Sequence, residues 1–155
     1  MIKKIFVSIL SVSLFLACSE ESKIKEVAIE AARAQYQAEI RDELAKNITG
    51  KNNLQKTATL ILLEKADFEV QKSEIQGNNA TVDVQAQRIP AKAKQSLIDI
   101  MSRLDEKKEA RFNVPDALKM IYPQVGLEPD EKESAIYKIK LKKEGSWKAL
   151  PSAEK

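Results

Sequence analysis

Three kinds of hydrophobic pattern follow one another along the chain. From Ile5 to Ala17 no residue is charged and most are apolar, directly after the Lys3-Lys4 pair. As a helix this run is about 20 Å long. That is short against a bilayer core of about 30 Å but fits the apolar region of a secretory signal, and Ala17 supplies the small residue at which such a signal is cut. From about Lys23 to Asn47 the pattern is helical, with Ile29, Ala32, Tyr36, Ile40 and Leu44 recurring at steps of three and four on one face. Alanines at 28, 31, 34, 38 and 45 favour the helix, and Gly50 in "NITGKNN" ends it. In "NLQKTATLILLEKAD", Leu54, Ala58, Ile61 and Leu62 predict a shorter helix capped by Asn52 or Asn53, although "TATLILL" also fits a buried strand.

From Asp67 the period drops to two. Phe68 and Val70 alternate with polar neighbours, "QGNN" supplies turn residues, and Ala80, Val82, Val84 and Ala86 alternate with Thr81, Asp83, Gln85 and Gln87. Ile75 is out of phase with Phe68 and Val70, which predicts a bulge near Lys72 to Glu74. Pro90 stops the strand, and Ala93, Leu97, Ile100, Met101 and Leu104 then share a helical face that ends in the charged "DEKKEAR". "NVPDALKMIY" opens another helix with Pro115 in its first turn and Pro123 closing it. After the exposed connection "PQVGLEPDEKES", a second hairpin sends Ala135, Tyr137, Ile139 and Leu141 to one side and Ile136, Lys138, Lys140 and Lys142 to the other. "KEGS" turns the chain, and Trp147 and Ala149 return along the core side. The order predicts an α+β domain, with N-terminal helices packed on one face of a curved antiparallel sheet of two hairpins and helices inserted between the hairpins.

Composition changes the picture mainly by what is missing. There is no His and a single Cys, Cys18. Imidazole bases, Cys-His and Ser-His nucleophile systems and N- or S-ligated zinc are therefore excluded, so no catalytic residue, metal ligand or cofactor site is assigned. The formal charge of +3 falls to +1 once Lys3 and Lys4 are removed with a signal segment. A near-neutral mixed-charge domain gives no electrostatic case for nucleic acid.

Cys18 follows Leu16-Ala17 at the end of the apolar run, and here the chain resembles the signal peptides of bacterial lipoproteins. The family prefers Leu three residues before the cysteine and a small residue two before it, where this chain has Phe15 and Leu16. The resemblance implies that a diacylglyceryl group alkylates the Cys18 thiol, that a peptidase cuts before it, and that the new amine is commonly acylated, giving a lipid anchor of the palmitate kind. Two or more acyl chains anchor stably where one does not. An odd thiol in an exported chain is accounted for in the same way. The segments then read as a signal peptide over 1–17, a lipidated cysteine and short tether over 18–22, one α+β domain over 23–151 and a polar tail over 152–155. Ser19, in place of Asp, implies the outer membrane of the cell envelope, with the domain facing the periplasm.

"EIQGNNATVDVQ" and "YKIKLKKEGSWKAL" are similar to hairpins of small bacterial lipoproteins with nuclear transport factor 2-like or cystatin-like domains. A cone-shaped version of that fold implies a hollow lined by Tyr36, Ile40, Phe68, Val82, Tyr137, Ile139 and Trp147, suited to an apolar ligand; the plain alternative is that these residues fill the core. Lys138, Lys140, Lys142 and Lys148 form a basic strip with a charge every ~7 Å, either a solvated sheet face or a surface for an anionic leaflet. The expected function is that of a non-catalytic, lipid-anchored protein that docks a protein or a small amphipathic ligand. The other reading is a small isomerase- or dehydratase-like enzyme using Tyr36 or Tyr137 with a carboxylate.

Overall fold

Alternating strands that expose polar residues on one side only must find cover for the other, and a single long helix provides most of it. The computed structural model describes residues 5–48, 53–106 and 113–152, with side chains described for 19–48, 53–104 and 113–152. The order is α1 (Ile5–Asn47), α2 (Asn53–Glu64), β1 (Asp67–Gln76), β2 (Asn79–Arg88), α3 (Ala91–Glu106), α4 (Val114–Gln124), β3 (Glu133–Glu144) and β4 (Ser146–Ala149). The strands form one antiparallel sheet in the order β1-β2-β3-β4. Helix α1 touches all four strands, α2 and α3 pack on α1, and α4 rests on α2 and α3. This is the α+β arrangement the sequence predicts.

Helix α1 buries Ile24, Ala28, Ala32, Tyr36, Ile40 and Leu44, one residue in every four, and Ile48 just beyond its end continues the series. Four residues advance about 400° around a helix, so the buried stripe winds about 240° from Ile24 to Ile48. No flat layer can cover such a stripe. Its N-terminal end therefore meets β3 and β4, and its C-terminal end meets α2. Ile29, expected on the stripe, is only partly buried beside it. The helix is also continuous through Ser19 to Ser22, where the sequence suggests a short polar tether. Gly50 and the "DEKKEAR" segment beyond Glu106 lie outside the described residues.

The ambiguous block after Asn53 is helical and buries Leu54, Ala58, Thr59, Leu62 and Leu63. The β1 bulge falls between Val70 and Lys72, one residue before the expected position, and it returns Ser73 and Ile75 to the side that faces Val82 and Ala80. Gly77, with φ of 60°, opens the two-residue turn into β2 as a type II′ turn requires. On α3 the buried set is Ala93, Leu97, Ile98 and Met101, while Ile100 lies at its margin. Asn113 caps α4 by accepting from the Asp116 amide, and the helix continues one residue past Pro123, to Gln124.

Candidate functional site

The seven residues expected to line a hollow are packing. Tyr36, Ile40, Val82, Tyr137, Ile139 and Trp147 belong to the buried core and Phe68 packs against it, with its ring centroid 6.2 Å from that of Tyr36. The winding stripe of α1 lies directly on the inner face of the sheet, so the side chains that would bound a cone fill it instead. Tyr36 Oη is buried without a hydrogen-bond partner among the described residues. Burial pushes its pKa up to about 12.

At the end of the sheet where β2 leaves for α3 and β3 returns from α4, the alternating pattern brings four polar groups together. Arg88 and Glu133 are register partners on β2 and β3, and Arg88 Nε lies 3.1 Å from Glu133 Oε1. Arg88 Nη1 also donates to Tyr137 Oη at 3.1 Å and lies 3.3 Å from Glu39 Oε2. Tyr137 Oη donates to Glu39 Oε2 at 3.0 Å. The guanidinium carbon sits 5.6 Å from the Tyr36 ring centroid, a cation–π contact. Glu133 also caps α3, whose preceding residue, Pro90, has no side-chain acceptor: its Oε2 accepts from the Ala91 amide at 2.9 Å. Burial, and after it the charge and hydrogen bond of Glu39, push the Tyr137 pKa well above the usual tyrosine range. Burial opposes the charge on Arg88, but Tyr137 and the two carboxylates outweigh it and raise its pKa. The sequence pattern places no acid beside the tyrosines. Glu39 lies three residues after Tyr36 on α1, on the flank of the stripe that reaches Tyr137.

The opposite end of α1 holds Cys18 and the residues that follow it. Cys18 is within the helix; its side chain lies outside the described residues. Two residues on, Glu20 accepts from Lys143 Nζ and, at 3.2 Å, from Trp147 Nε1. Lys143 Nζ lies 5.9 Å from the Trp147 ring centroid. Hydrogen bonds from Lys143 and Trp147 lower the Glu20 pKa. The basic strip lies on the outer sheet face as expected, and Lys142 is the register partner of Lys148. Lys138 is paired with Asp83 and Lys142 with Glu144, each at 2.8 Å. Lys140 and Lys148 make no ion pair among the described residues.

Two clefts lie on the surface, the second lined by the chain neighbours of Arg88 and Glu133. One of about 420 Å³ runs between α1 and α2, lined by Gln37, Arg41, Asp42, Leu44, Ala45, Gln55, Lys56, Thr59 and Leu60. Its charged rim of Arg41, Asp42 and Lys56 makes no ion pair among the described residues, and Leu60 is 48 % exposed at its edge. A second, of about 330 Å³, is lined by Glu64, Lys65, Ile89, Tyr122, Asp130 and Lys132. Among the described residues no group of three or more cysteine or acidic side chains converges on one point. No family model, curated protein or solved structure matches the chain.

Proposed function

We propose that the chain is a lipid-anchored protein of the bacterial envelope, without catalytic activity, whose domain docks a small amphipathic ligand or a protein at the periplasmic face of the membrane. The observation that carries it is Cys18, placed directly after Lys3-Lys4, the uncharged run Ile5 to Ala17 and the Leu16-Ala17 pair. One further feature supports it: "SEES", from Ser19 to Ser22, reads as a helix start embedded inside α1, a serine followed by Glu20 and Glu21, the charges a helix N-terminus favours. Cleavage before Cys18 turns that embedded signal into a true first turn.

The α1–α2 cleft is the surface best suited to the ligand. Its volume is in the range of small-molecule sites, and Leu44, Ala45 and Leu60 lie beside unpaired charges. In cells fed a labelled fatty acid, the protein carries the label and sediments with membranes, and Cys18→Ser loses both. A protein without label, or a Cys18→Ser variant that keeps it, overturns the anchor. Organic extraction of the purified protein followed by mass spectrometry tests the cleft: a retained amphiphile that is lost in Leu60→Asp supports it, and a ligand unaffected by that change rejects it.

The enzyme reading has one observation in its favour, the hydrogen bond between Tyr137 and Glu39. Against it, Arg88 occupies the space beside both groups, and its guanidinium satisfies the atoms a substrate would need.

A further inference from the structure

The distance between the anchor and the first fixed contact is the informative quantity. Cys18 and Glu20 lie two residues apart on one helix, separated by about 3 Å along its axis. Glu20 is held by Lys143 and Trp147, on β3 and β4. A lipidated Cys18 thus has no flexible linker to the domain. Both tight turns of the sheet lie at this same end, because the Lys143 amide donates to the Asn78 carbonyl and Gly145 follows two residues later. Lys142 and Lys148 face each other here on the outer sheet surface, with Lys140 two residues further along β3.

We infer that the end of the domain formed by the Gly77–Asn78 turn, the Gly145 turn and Lys140, Lys142 and Lys148 rests on the anionic phospholipid headgroups of the leaflet that holds the anchor, oriented by the Glu20–Lys143–Trp147 latch. The inference rests on the lipid-anchor reading. It goes beyond it by fixing which surface meets the membrane and which is presented away from it. Lys140 and Lys148 lack ion-pair partners among the described residues, so their charges are available to phosphate. Each lysine close to an anionic surface favours contact by about fivefold. The Arg88 cluster and the α1–α2 cleft lie toward the other end of α1. From Glu20 to Leu44 the helix rises about 36 Å, so with α1 standing off the bilayer the cleft would lie clear of the headgroup layer.

The test uses the native lipidated protein in vesicles of phosphatidylcholine with phosphatidylglycerol. Because Cys18 is capped, a single introduced thiol carries a fluorophore, either at Asn78→Cys in the proximal turn or at Glu128→Cys in the loop that leads into β3. Lipids with a nitroxide on the headgroup should quench the Asn78 label at least several-fold more than the Glu128 label. Glu20→Ala should bring the two labels closer together in quenching. Lys140→Gln with Lys148→Gln should reduce proximal quenching on anionic vesicles and leave it unchanged on pure phosphatidylcholine. A protein that carries acyl mass and floats with vesicles, yet is quenched equally at both ends or more strongly at Glu128, overturns this inference alone. A protein without acyl mass that fails to float overturns the anchor reading as well.

Discussion

The two ends of α1 are fastened by opposite means. Toward its C-terminus, Tyr36, Ile40, Leu44 and Ile48 are almost fully buried, and a half-buried network of Arg88, Glu39, Tyr137 and Glu133 lies against Tyr36. Toward its N-terminus, beyond Ile24, a carboxylate, Glu20, makes the contact with Lys143 and Trp147, in a half-buried setting. The first arrangement holds the domain together, since removing packing atoms or one partner of a shielded charge costs kilocalories. The second contributes little to stability but sets direction. The proposed anchor at Cys18 would need both: a body that stays folded and a short, stiff connection that decides which side faces outward.

The contrast can be tested from its strongest side down. Leu44→Ala should cost about 2–5 kcal/mol in urea unfolding, the usual penalty of an aliphatic cavity. Arg88→Ala should follow at about 1–3 kcal/mol. The pair energy is discounted because Glu39 is 47 % exposed although Arg88 is only 21 % exposed. It should also speed amide exchange in the first turn of α3, because Glu133 loses the partner that aims it at the Ala91 amide. The tyrosines separate next. Tyr137→Phe loses hydrogen bonds to Glu39 and Arg88 and should cost about 1 kcal/mol, whereas Tyr36→Phe removes an unpartnered buried hydroxyl and should be neutral or stabilising by about 1 kcal/mol. Equal losses at the two positions would contradict the assignment of Tyr36 to plain packing.

The smallest effect on stability belongs to Glu20→Gln, read instead through Trp147, the only tryptophan. Because the folded pKa of Glu20 lies below its ordinary value of 4.5, the latch is fully present above that value and is lost as pH falls through the folded pKa. Trp147 emission should be flat from neutral pH down to about 4.5 and change only below it. The variant should lack that acid step. A Glu20→Gln protein as destabilised as Leu44→Ala would erase the distinction between the two ends.

Much of the fold was legible because sheet alternation is a local signal. Ala80, Val82, Val84 and Ala86, and then Tyr137, Ile139 and Leu141, are buried where period two puts them. Both hairpins turn at glycines whose positive φ requires that residue, Gly77 and Gly145. The stripe of α1 was half legible. Tyr36, Ile40 and Leu44 read correctly, but Ile24 and Ile48 did not, because a stripe stepping by four drifts off any fixed face and its burial depends on neighbours that change along the helix. The Arg88 cluster was not legible at all. Its members come from α1, β2 and β3, and only the β2–β3 register and the position of α1 on the sheet bring them within 3.3 Å. The expectation of a hollow inside the sheet rests on a resemblance carried by two hairpins. Hairpins fix strand pairing and say nothing about how closely a helix settles on the sheet.

The anchor is the claim on which the rest depends, and the mass of the intact protein extracted from membranes tests it most directly. The account predicts a polypeptide beginning at Cys18 and heavier than its amino acids by a diacylglyceryl group and a further acyl chain. A polypeptide that begins at Met1 with no added mass would contradict it.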